Sequence, residues 1–249
     1  RYIFLGENTT DGIFTAIYDA WASGYPDERI SLYVEENHGM ELFAEYRYVQ
    51  TDYDKAKKVA RSVSRKISAE AYVMIFRASL SQFEDKVDVI YRFLKMGFRE
   101  GRKVTGMHGE EVVCRLFELS RNVWTEAHLF QGVVRFHDSK DGLLISRISP
   151  KNLVLPMVAE HFAERFSTEN FIILDDKHNM GLFHEREQSY FISTLEREVL
   201  EEIWASRDCS EYESLWKCFF QNIAIGEREN YICQRNLCPI RYREYMVEF

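Results

Sequence analysis

In the stretch HFAERF, His161 and Arg165 stand four residues apart, a spacing that on a helix puts an imidazole and a guanidinium on one face. Together they can meet a phosphate or a carboxylate. Asp175 and His178 follow in FIILDDKH, and a His–Asp pairing such as His161 with Asp175 suits general-base chemistry. These four form the candidate catalytic set. His128, Arg135 and His184 come from neighbouring segments and could converge on the same side of a sheet. Spacing in sequence does not establish proximity, and such residues serve more often as salt bridges and hydrogen bonds that tie a helix to a sheet.

A second constellation is cationic. Lys57, Arg61 and Arg65, with Lys58 and Lys66 beside them, lie in KAKKVARSVSRKI. Ala56, Val59, Ala60, Val63 and Ile67 share the opposite, apolar face of this amphipathic helix. Lys95, Arg99, Arg102 and Lys103 could extend the cationic face into a phosphate-binding track if two helices lie together. A solvated helix face, and cations favoured near a helix C-terminus by the dipole, account for the same residues without a ligand. The C-terminal YESLWKCFFQNIAIGERENYICQRNLCPIRYREYMVEF mixes aromatic residues with Arg228, Arg235, Arg241 and Arg243. Aromatic planes beside guanidinium groups can stack single-stranded bases. Asn230 and Gln234, at i and i+4, could read a base edge or simply hydrogen-bond a turn. The expected nucleic-acid-binding set is therefore Lys57, Arg61, Arg65, Arg99, Arg102, Lys103, Arg135, Arg228, Asn230, Gln234 and Arg241.

The charge balance sharpens this. The chain of 249 residues carries a net charge of −8, which ordinarily argues against polynucleotides. Residues 55–103, however, hold thirteen Lys and Arg against five Asp and Glu, a local excess of +8 within an otherwise acidic protein. Five scattered cysteines, without a C-x-x-C pair, fit reduced thiols and a cytoplasmic location. They supply neither a metal site nor the three-cysteine cluster of radical chemistry, and no cofactor is expected. No apolar run approaches the roughly 18 residues of a membrane span.

These residues need elements to position them. YIFL reads as a short buried strand; GENTTDG after it lacks the glycine and lysine pattern of a nucleotide loop. Thr9, Thr10 or Asp11 instead caps a helix carrying Ile13, Phe14, Ile17, Tyr18 and Trp21, with Gly12 permitting close helix–strand packing. RISLYVE is a second strand, and helices follow at 55–67, 69–80 and around 87–98, with a longer one in GEEVVCRLFELSRNVWTEAHLF. The period then changes. GVVRFHD, LLISRIS, FIILDD, MGLFHE and SYFIST are strand-like, interrupted by the helix VLPMVAEHFAERF, and short links favour antiparallel pairing. Helices return from about residue 197. The expectation is an α+β protein: a small N-terminal α/β unit over 1–80, a boundary in SLSQFEDK, and a larger domain over 81–249 with an antiparallel sheet flanked by helices.

The segments DGIFTAIYDAW, EAHLFQGVVRF, HFAERF and LWKCFFQNIAIGERENYICQRNLCPIRYREYM, by their order and spacing together, carry a resemblance to a bacterial family. Over essentially its whole length the chain resembles the family described as probable DNA metabolism protein, whose members stand alone or are joined to a uracil-DNA glycosylase-superfamily domain. The resemblance implies a role in DNA repair or modification beside a radical SAM protein, with DNA as a further partner and any radical or base-excision chemistry left to those partners. It carries no residue-level catalytic role. The leading expectation is a DNA-associated accessory factor; a hydrolase or nuclease acting on a modified nucleotide and a protein-only scaffold are the alternatives.

Overall fold

The computed structural model describes residues 1–35, 41–139, 142–208, 211–223 and 230–248. It forms two compact units, Arg1–Trp124 and Thr125–Phe249.

In the first unit, β1 (Tyr2–Gly6) is the centre of a three-stranded parallel sheet, between β2 (Ile30–Val34) and β3 (Glu45–Val49). Ile3, Phe4 and Leu5 are all buried, as a parallel strand covered on both faces requires. α1 (Thr10–Ala22) starts where Thr9 caps it, the Thr9 hydroxyl oxygen accepting from the Gly12 amide at 2.9 Å. A Cβ on Gly12 would stand 2.6 Å from the Glu7 carbonyl oxygen, so only glycine lets the helix leave the strand this closely.

α2 (Tyr53–Lys66) is capped by Asp52, and α3 (Ala69–Ser79) by Ser68. α4 (Lys86–Glu100) ends at Gly101, whose φ of +63° suits glycine, and a 3-10 helix follows over Gly101–Gly106. The loop between α3 and α4, which contains the expected boundary, packs within this unit. Ser81 is buried, and so is Lys86, whose ammonium donates to Asn8 Oδ1 and the Ser81 carbonyl. Ile13, Phe14, Ile17, Val63, Ile75, Ile90 and Phe93 are among the residues of the core. α5 (Glu111–Val133) carries the chain onward.

In the second unit, β4 (His137–Asp138), β5 (Leu144–Ile148), β6 (Phe171–Asp175), β7 (Met180–His184) and β8 (Phe191–Thr194) form one sheet in sequence order. α6 (Leu155–Arg165), begun by Pro156, packs with Phe171, Ile173 and Leu182. α7 (Arg197–Ala205) packs with Ile145 and Leu174. Because side chains alternate along a strand, these are opposite faces of the sheet. α8 (Glu211–Ile223) and α9 (Tyr231–Leu237) follow.

The α+β class holds, with two corrections. GVVRFHD is not a strand over its length, since α5 continues through Val133 and only His137–Asp138 pairs with β5. The β5–β6 pair is parallel, because α6 lies between the two strands and supplies the crossover that a parallel pair needs.

Candidate functional site

α2 turns Ala56, Val59 and Val63 inward, which leaves Lys57, Lys58, Arg61, Arg65 and Lys66 exposed on its other side. None of the five has an ion-pair partner among the described residues. Lys57, Arg61 and Arg65 repeat at i, i+4 and i+8, a row of charge about 12 Å long at 1.5 Å per residue. Like charges at this spacing cost the helix a few tenths of a kcal/mol per pair, and no carboxylate within ion-pair distance among the described residues offsets the cost. Lys55, on the same helix, behaves differently: Asp19 holds it at 2.7 Å, and that hydrogen bond raises its pKa.

Beside the row, α1, α2 and α4 line an open cavity of about 490 Å3, with Tyr18, Trp21 and Phe98 as its aromatic lining and Lys58, Ser62 and Lys66 as its polar lining. The α4 backbone comes close to the end of α2 because residue 97 is glycine; a Cβ there would stand 2.6 Å from Ile67 Cδ1. Trp21 and Phe98 meet edge to face at 5.1 Å between centroids. Each aromatic residue has an ammonium near its ring: Lys58 lies 5.8 Å from Tyr18, Lys66 5.8 Å from Phe98 and Lys95 5.1 Å from Trp21.

Lys95 is neutralised by Asp27, and its hydrogen bond holds that carboxyl below the usual range. Arg99 pairs with Glu100 at 2.7 Å. Of the expected extension of the cationic face, only Arg102 and Lys103 are exposed without an ion pair among the described residues. Sequence reasoning placed the cations but missed the cavity. Trp21 and Phe98 have the spacing of apolar-face residues, and nothing local marks Gly97 as a contact point.

In the second unit the candidate catalytic set divides. His178 Nδ1 donates to Asp175 Oδ2 at 2.7 Å, while Asp175 Oδ1 accepts from the amides of Lys177 and His178. Burial pushes the Asp175 carboxyl up, and the His178 hydrogen bond offsets part of that rise. The carboxylate therefore organises the turn that leads from β6 to β7. His161 and Arg165 lie on α6, where His161 contacts the Phe162 ring and Arg165 that of Phe166. No hydrogen bond joins either to Asp175 or His178 among the described residues.

The remaining nucleic-acid candidates are engaged locally. Arg135 forms a forked pair with the buried Glu248, at 2.5 Å from Nη2 and 3.1 Å from Nε. The Arg241 guanidinium lies 4.4 Å from the Tyr242 ring and donates to its hydroxyl at 2.8 Å. Asn230 caps α9, accepting from the Cys233 amide at 2.9 Å. Gln234 is half-buried on that helix, and Arg228 lies outside the described residues.

Two polar centres escaped the sequence reading. Arg147, 7% exposed, is held by Asp176 at 2.5 Å and Glu201 at 2.7 Å, and Arg197 binds the same two carboxylates. Burial opposes the Arg147 charge, but the bonds to Glu201 and Asp176 outweigh it and push its pKa up. The only local signal was a lone arginine within LLISRIS. The second centre, the buried Glu126, accepts from the Lys151 amide, the Asn152 amide and side chain, and the Tyr242 hydroxyl.

No group of three or more His, Cys, Asp or Glu residues able to hold a metal occurs among the described residues. No described helix is long and apolar enough to cross a membrane. The chain matches no protein in a search of curated proteins. A family model described as a domain of unknown function, DUF4130, matches residues 84–248, two thirds of the chain, which therefore belongs to that family.

Proposed function

We propose that the protein is a DNA repair or modification accessory factor that binds nucleic acid through the cationic face of α2. One observation carries the reading: five exposed cations on one helix face lack carboxylate partners among the described residues, whereas Lys55, Lys95, Arg99, Arg135 and Arg147 all have them. Cations left unpaired in an acidic protein are suited to phosphates, whose counterions they displace. Bond-making steps belong to a partner enzyme, a radical SAM or uracil-DNA glycosylase-like protein by the family resemblance. Exposed Leu215 and Phe219 on α8 offer apolar contacts for such a partner.

The alternative, a hydrolase or nuclease acting on a modified nucleotide, draws support from the Asp175–His178 hydrogen bond. The second Asp175 oxygen is committed to the turn, and the rest of the proposed set does not join the pair.

Anisotropy titration of a labelled oligonucleotide against salt tests the reading. Each lost phosphate contact lowers the salt slope by about 0.7 to 0.9, so Lys57→Glu, Arg61→Glu and Arg65→Glu together should lower it by about 2 or more and weaken low-salt binding severely. Absence of binding by the native chain at low salt would refute it.

A further inference from the structure

We infer that the cavity between α1, α2 and α4 receives an unstacked base of a single-stranded nucleic acid, with Lys58 and Lys66 at the phosphates on either side. This rests on the nucleic-acid reading above and narrows it to one strand. At about 490 Å3 the cavity falls in the range of small-ligand sites. Its aromatic walls match a planar heterocycle better than an aliphatic chain, because a base presents a π-face to whichever ring it meets. Trp21 is 41% exposed despite its size, so part of the indole remains available.

The Ser62 hydroxyl, which has no partner among the described residues, can serve a base edge as donor or acceptor. Lys58 and Ser62 are one helical turn apart, as are Ser62 and Lys66, so the hydroxyl sits between two ammonium groups. The Lys57–Arg61–Arg65 row continues the charge along the outside of α2. A duplex can use that row, but its bases are stacked on one another and present no face to the rings.

Anisotropy with the full chain separates the possibilities, using a labelled 20-nucleotide single strand, the same sequence as a duplex, and a free mononucleotide as competitor. The single strand should bind more tightly than the duplex. Trp21→Ala should weaken single-strand binding about tenfold, as loss of one base–aromatic stack does, and leave duplex binding unchanged. Lys58→Gln with Lys66→Gln, at exposed positions that do not challenge folding, should lower the single-strand salt slope by about 1.4 and keep the melting temperature.

Equal affinity for single strand and duplex, with both variants neutral at unchanged fold, overturns the inference and leaves the cationic-face reading standing. So does competition by the mononucleotide at the affinity of the oligomer, which would assign the cavity to a free nucleotide. No binding of either polymer at low salt removes both readings.

Discussion

Removing the Glu126 carboxylate should cost the second unit about 4 kcal/mol. Four donors converge on it: the backbone amides of Lys151 and Asn152, each at 2.8 Å, the Asn152 side-chain amide at 2.6 Å, and the Tyr242 hydroxyl. In Glu126→Ala the exposed Lys151 amide can turn to water. Asn152 is 1% exposed and cannot. A hydrogen bond to a charged acceptor contributes about 1.5–3 kcal/mol, so the two Asn152 bonds and the Tyr242 bond, taken at the low end of that range, account for roughly 4 kcal/mol. Glu126→Gln keeps one carbonyl but turns an amide toward donors, and should cost about half as much. At about 2–4 °C per kcal/mol for a chain of this size, Glu126→Ala should lower the transition that Trp204 and Trp216 report by roughly 10 °C. Native-state hydrogen exchange should show the Asn152 amide losing protection. A loss below about 1 kcal/mol with Asn152 still protected would refute the reasoning.

Gly12→Ala places a methyl 2.6 Å from the Glu7 carbonyl oxygen, a backbone atom that cannot swing aside, and should destabilise the first unit by about 1–3 kcal/mol; a thermal melt at or above the native value would contradict this. Asp175→Asn retains an acceptor for the two turn amides and removes a charge that burial disfavours, so it should cost under about 1 kcal/mol, against about 2–3 kcal/mol for Asp175→Ala. The pH dependence follows. A folded carboxyl raised above its unfolded value of 3.8 stabilises most fully below that value and loses this contribution as pH climbs through the folded pKa. Asp175→Asn should therefore gain on the native chain with rising pH in parallel melts, and the reverse trend would contradict the burial account. Tyr242 and Tyr245 are each pushed up to about 12 and Tyr91 is raised as well, in every case foremost by burial, so phenolate absorbance should show three late titrations and stability should decline as pH rises beyond about 10. Fewer than three late-titrating tyrosines would contradict their burial.

Elements with an internal period were readable in the sequence. The 3.6-residue alternation of α2 separates its cations from its core face, and the run Thr9, Thr10, Asp11 with Gly12 marks the start of α1, where the structure selects Thr9 as the cap. β3 was not readable: EYRYV alternates on an exposed edge and carries Glu45 and Arg47 where a buried strand would carry apolar residues. The polar centres failed for another reason. Arg147 meets Asp176 and Glu201 from 29 and 54 residues away, and Glu126 meets Tyr242 across 116. No window of sequence encodes pairings of that range. Arg135 has the residue type of a ligand-binding surface, but its partner Glu248 lies 113 residues along the chain; Asn230, bonded to the Cys233 amide three residues on, fits the turn-bonding alternative. Trp21 and Phe98, far apart in the chain, became neighbours only through the meeting of α1 with α4.

The close approach at Gly97 gives that meeting a single adjustable gauge. A methyl at this position strikes the tip of Ile67, which is buried and has little room to retreat, so the extra volume would be passed on between the two helices. Related chains bearing alanine or serine there would have a wider mouth between Lys66 and Phe98 with the same lining residues. Bulk at one backbone site would then set the width of the opening without altering any group that lines it.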